Sequence, residues 1–95
     1  LAMKRDDTIA AVRAWTELLN INPEHALARN NLAWLLLNTE PSKASMHAQA
    51  AVELVPDNAD FLDTYAMALK SNKQFRESLR IQFWSRKRLT ALNSL

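Results

Sequence analysis

A segment that begins with proline occurs twice in this chain, 33 residues apart. Pro23 and Pro56 each precede a run rich in alanine and leucine, and Ala33 meets Ala66 when the two runs are superposed. The stretches before the two prolines repeat with the same spacing. Self-similarity at a fixed period of this length is typical of structural units that stack on their neighbours. The sequence therefore predicts an array of similar units.

Each unit is predicted to be helical. Three breaks that contain proline, and one polar break at 71–74, separate runs whose apolar residues recur every three or four positions. We predict five helices, near residues 8–20, 25–38, 42–54, 59–71 and 75–92. Because the connections between them are short, consecutive helices should pack as antiparallel hairpins.

Composition supports an all-helical chain and excludes several kinds of site. Ala and Leu contribute fifteen residues each, whereas Val and Ile together contribute six, and this balance favours helix over sheet. Glycine is absent, which excludes phosphate-binding loops and nucleophile elbows. Cysteine is also absent, which excludes disulfides and thiolate metal sites. No apolar run approaches the roughly 18 residues that a membrane span needs.

Without glycine, asparagine is the best remaining residue for the left-handed conformation that often follows a helix. We predict such C-terminal caps at Asn20, Asn38 and Asn72. The predicted N-terminal caps are Asp7 or Thr8, Ser42 and Asn58.

One block of residues occurs in both units. It reads Arg29-x2-Leu32-Ala33-x2-Leu36 in the first unit and Leu62-x2-Tyr65-Ala66-x2-Leu69 in the second. This block resembles the tetratricopeptide repeat family, whose 34-residue helical hairpins carry W-x2-L-G-x2-Y, then A-x3-F, then proline. The resemblance extends over about residues 8–90. The alanines stand where the family places glycine, at a close contact between helices.

The resemblance implies a single domain, 1–95, of antiparallel hairpins stacked as a right-handed superhelix. Residues 8–22 would be the second helix of an upstream repeat, 23–55 a repeat, and 56–92 a repeat with a terminal cap helix. We expect the chain to be the C-terminal part of a longer bacterial protein of this kind. Apolar residues of the first helix, such as Ile9, Val12 or Leu19, would then be exposed, and the chain could self-associate through that helix.

The resemblance also implies a function, namely a scaffold that binds a peptide or partner protein in a concave groove. The groove positions that it assigns are Leu27, Asn30, Asn31, Trp34, Leu37, Asn38, Asp60, Asp63, Thr64, Met67 and Lys70. Trp34 is the expected anchor, or else a packing residue between units. The family's clamp for a terminal carboxylate is not satisfied, because Asp60 replaces a cation. An apolar or basic partner is therefore expected.

The residues give little support to catalysis, metal binding or a cofactor. His25 and His47 are predicted to lie on different helices, with no carboxylate at ligand spacing, and we interpret them as free surface imidazoles. Asp60 and Asp63 are one turn apart, but first-turn charges favoured by the helix dipole explain them better than an acid/base pair. We predict a protein that is not an enzyme. Its compartment stays open.

The charge distribution leaves a second hypothesis. Residues 1–69 carry five Lys and Arg against nine Asp and Glu, whereas residues 70–95 carry seven against one. Cations and aromatic residues would share one side of the last helix, at Lys73, Arg76, Arg80, Phe83, Trp84 and Lys87. This basic patch could bind nucleic acid or an anionic membrane surface. The favoured interpretation is instead a solvated surface whose arginine stems cover a ring, and nucleic acid is the less expected partner.

Overall fold

The computed structural model describes residues 5–73 and 79–83, and all the secondary structure in these ranges is helical. This confirms the all-α prediction. Residues 79–83 are helical within the predicted fifth helix, and the rest of 75–92 lies outside the described residues. The four complete helices are α1 (Arg5–Ile21), α2 (Ala26–Leu36), α3 (Pro41–Leu54) and α4 (Ala59–Ser71).

The helix starts follow local chemistry. Helix α1 begins before the predicted cap at Asp7 or Thr8, since Asp6 and Asp7 interact favourably with the helix dipole in its first turn. Helix α3 begins at Pro41, whose fixed φ suits the first helical position, and so Ser42 lies inside the helix and does not cap it.

The N-cap of α4 is confirmed and the predicted left-handed caps are wrong. The Asn58 side chain accepts a hydrogen bond from the Phe61 amide at 3.1 Å. Among the described residues, only Lys73 has a positive φ, at 62°, whereas Asn72 has a φ of −88°. Asn20 lies inside α1, and the amide of Asn72 still bonds to the Ala68 carbonyl. The chain therefore reverses one residue later than the pattern indicates.

Helix α2 is central to the packing. It contacts α1, α3 and α4, and α3 also contacts α4. Helix α1 contacts α2 but neither α3 nor α4. Because the connections are short, α2 and α4 flank α3 in antiparallel fashion and therefore run in the same direction.

Alanine supplies seven of the fourteen buried apolar residues in the described part of the chain. Six alanines are fully buried, namely Ala28, Ala33, Ala44, Ala48, Ala51 and Ala68, and Ala66 is 2% exposed. The largest fully buried side chains, which include Leu32, Leu62 and Leu69, fill the space between them. Small side chains allow helix axes to approach closely, and interiors packed this densely have no room for added volume.

Replacing Ala33 or Ala66 with Leu should therefore lower the free energy of unfolding by about 1–3 kcal/mol, the usual cost of overpacking a core. Urea unfolding followed by circular dichroism measures this change. The matched control is Ala14→Leu, because Ala14 is exposed on α1 and the same substitution adds no buried volume there. Equal midpoints for all three variants would show that α2 and α4 do not depend on close approach at these alanines.

Candidate functional site

Helices α2 and α4 together present a surface of apolar and acidic side chains, which we call the α2/α4 face. It is formed by Leu27, Asn31 and Trp34 on α2 and by Asp60, Asp63 and Met67 on α4. Within each helix these residues are three or four positions apart and therefore lie on one side. Leu27, Trp34 and Met67 are 51%, 47% and 41% exposed, although each is a large apolar side chain.

Three of the predicted groove residues are not available to a partner, namely Leu37, Thr64 and Asn30. Leu37 is only 7% exposed and belongs to the core cluster, whose buried members are Leu19, Ala28, Leu32, Ala33, Leu36, Leu37, Ala44, Ala48 and Ala68. Thr64 is 1% exposed, and its hydroxyl donates a hydrogen bond to the Asp60 carbonyl at 2.9 Å. The prediction that Leu37 and Thr64 line the groove surface was wrong, because the folded chain buries both side chains. Asn38 and Lys70 are exposed, as a groove role requires.

Asn30 lies between the levels of Leu27 and Trp34 on α2 but is only 7% exposed. Its Oδ1 is buried and accepts no hydrogen bond from the described residues. Leaving a buried polar atom without a partner typically costs about 1–3 kcal/mol, so such atoms are rare in folded proteins. Asn30 is thus a buried polar residue beside the α2/α4 face. The prediction that its amide contacts a partner directly is wrong for this structure, because the side chain is buried.

The α2/α4 face is electrostatically uneven along its length. Asp60 and Asp63 are both exposed near the start of α4, and neither forms an ion pair within residues 5–73 or 79–83. Lys70 is exposed in the last turn of the same helix. The face therefore changes from acidic, through apolar at the level of Trp34 and Met67, to basic.

The interpretation of His25 and His47 as free surface imidazoles is wrong. The Nδ1 atom of His25 accepts a hydrogen bond from the Ala28 amide at 3.1 Å and so caps α2. His47 is half-buried, and its Nδ1 lies 3.2 Å from Nη1 of Arg29. Each histidine therefore has a structural partner, and no group of three or more potential metal ligands occurs in the described part of the chain.

Arg29 connects two elements, a role that the sequence analysis missed. Its Nε and Nη2 donate hydrogen bonds to the Pro23 carbonyl at 3.2 and 3.1 Å, while its Nη1 reaches His47 on α3. The guanidinium thus fastens the turn before α2 to α3. Arg29 occupies the position where the tetratricopeptide pattern, which the block resembles, has tryptophan, and this difference was the available signal. Burial lowers the pKa of His47, and the positive charges of Arg29 and then Lys43 lower it further.

The lowered pKa of His47 predicts a pH-dependent stability. Between this pKa and the value of about 6.5 in the unfolded chain, the unfolded state binds more protons, so the free energy of unfolding should fall as the pH falls through that window. Urea midpoints at about pH 7.5 and pH 5.5 measure the change. Carboxylates also titrate in acid, so the wild type is compared with His47→Gln, which should lose less stability. Equal losses of stability in the wild type and in His47→Gln would contradict the assignment of this pH dependence to His47.

Helix α1 has an exposed apolar side of its own. An open cleft of about 420 Å³ lies between its first half and the end of α2, and its apolar wall includes Ile9, Val12 and Leu35. Ile9 is half-exposed, as expected, whereas Leu19 is buried in the core cluster and was wrongly expected to be exposed. Self-association through α1 stays a prediction.

The predicted basic patch is described in part. Lys73 and Arg80 are exposed, and Phe83 is 69% exposed. Arg76, Trp84 and Lys87 lie outside the described residues. Binding of nucleic acid or an anionic membrane by this patch stays a prediction.

No protein-family model matches the chain, and no curated protein is similar enough to it to count as a relative. Membership of the tetratricopeptide repeat family therefore stays a prediction from the repeated block. In the described residues, no helix combines the length and the apolar character needed to cross a membrane.

Proposed function

We propose that this protein is a non-enzymatic interaction scaffold that binds a peptide or a segment of a partner protein across the α2/α4 face. The observation that carries the proposal is the exposure of Leu27, Trp34 and Met67 on two helices in contact. Exposed patches of apolar residues surrounded by polar ones commonly mark interaction sites.

Trp34 is the residue expected to contribute most to binding. Its ring is half-exposed, whereas Trp15 on α1 packs against the core cluster. Tryptophan residues at the centre of an interface commonly dominate its binding free energy, because a large rigid ring leaves water at little cost in conformational entropy.

A tetratricopeptide-type stack is the architecture that we propose around this face. The 33-residue spacing supports it, as does the burial of Ala33 and Ala66 at equivalent positions of α2 and α4. The packing of α2 against both the preceding helix α1 and the first helix of the next unit, α4, also supports it. In such a stack, equivalent helices line one continuous surface.

The test uses a random-peptide display library selected against the immobilised protein, followed by affinity measurements with the selected peptides. Trp34→Ala should weaken binding by tenfold or more, the effect typical of an interface hot spot, which is about 1.4 kcal/mol or more. Its melting temperature should change little, because the ring is half-exposed in the free protein.

Met46→Ala is the control for this measurement. Met46 is exposed on α3, outside the α2/α4 face, so its removal should leave peptide affinity unchanged. Unchanged affinity in Trp34→Ala, combined with a large loss of stability, would assign Trp34 to the core and contradict the proposal.

A further inference from the structure

The order of charges along α4 points to the kind of partner that the α2/α4 face accepts. We infer that it selects a segment in which a cationic side chain lies about 10 Å from a bulky apolar one, with the cation over Asp60 and Asp63 and the apolar group between Trp34 and Met67. This inference rests on the proposed function, since it concerns the same face.

The distance follows from helix geometry. Asp60 and Met67 are seven residues apart on one side of α4, which corresponds to about 10 Å at a rise of 1.5 Å per residue. Trp34 is equivalent to Met67 in the 33-residue repeat, and Leu27 is equivalent to Asp60. Because α2 and α4 run in the same direction, each pair lies at a similar level of the face.

The two carboxylates are available to a cation. Both are exposed, and neither is paired with a cation in the described ranges. An arginine or lysine of a bound segment would supply the missing opposite charge, whereas an acidic residue there would be repelled by two like charges.

The spacing defines which sequences fit. In a segment with polyproline II conformation, which has three residues per turn and rises about 3.1 Å per residue, positions i and i+3 lie on one side about 10 Å apart, so the pattern is Arg-x-x-Trp or a close analogue. In a helical segment the same distance corresponds to about seven residues. Lys70 lies one turn beyond Met67, so an acidic residue past the apolar group would complete the match and fix the direction in which the segment binds.

The experiment uses two short fluorescein-labelled peptides of otherwise identical sequence, one with Arg-x-x-Trp and one with Glu-x-x-Trp. Fluorescence anisotropy with the full chain at low salt measures both affinities. The wild type should bind the arginine peptide about fivefold or more tightly, since two exposed ion pairs each contribute a few-fold. Replacing both carboxylates, as Asp60→Asn with Asp63→Asn, should reduce this preference to about twofold or less.

The matched control is Asp6→Asn with Asp7→Asn. These two exposed carboxylates lie in the first turn of α1, away from the α2/α4 face, and the control removes the same net charge. It should keep the full preference for arginine. A preference that persists in the Asp60/Asp63 variant, or that falls equally in the control, would overturn the inference.

Failure of the inference can be distinguished from failure of the proposed function by including Trp34→Ala. If the wild type binds both peptides equally and Trp34→Ala weakens both, the face is a binding site without charge selection, and only the inference falls. If neither peptide binds detectably, or Trp34→Ala leaves both affinities unchanged, the inference and the proposed use of this face both fall.

Discussion

The close contact of α2 with three other helices is the constraint on which the rest of the structure depends. Ala33 on α2 and Ala66 at the equivalent position of α4 are almost completely buried, as are five further alanines on α2, α3 and α4. A small domain buries a limited fraction of its surface, so it gains stability by packing that surface densely. Alanine also has the highest helix propensity, and the residue that permits close approach therefore favours the helix as well.

The same packing explains why large apolar side chains remain on the surface. Seven buried alanines share the contacts between helices with seven larger side chains, of which Leu32, Leu62 and Leu69 are the most completely buried. Leu27, Trp34 and Met67 lie on the sides of α2 and α4 that the packing does not use. The face proposed to bind a partner is thus the side of α2 and α4 opposite to their buried alanines. The packing of those alanines determines the relative position of the two helices and therefore the shape of the face.

Periodicity and proline positions were sufficient to predict the all-α class, the bounds of α4 and the cap at Asn58. They could not predict burial at the edge of a face, because this depends on how far a neighbouring helix extends over it. Thr64 is buried for that reason, although its spacing matches that of exposed Asp60 and Asp63. The Arg29 contacts with Pro23 and His47 depend on the direction of a long side chain, which a repeat pattern does not specify.

Amide hydrogen exchange, read residue by residue, tests the central position of α2 most directly. Core helices exchange through global unfolding, whereas helices with fewer contacts open locally at lower free energy. Because α2 contacts three helices and α1 contacts only α2 among the four complete helices, the amides of α2 around Leu32–Leu36 should exchange most slowly, and those of α1 several-fold faster. Protection in α1 equal to or greater than that in α2 would contradict this account of the fold.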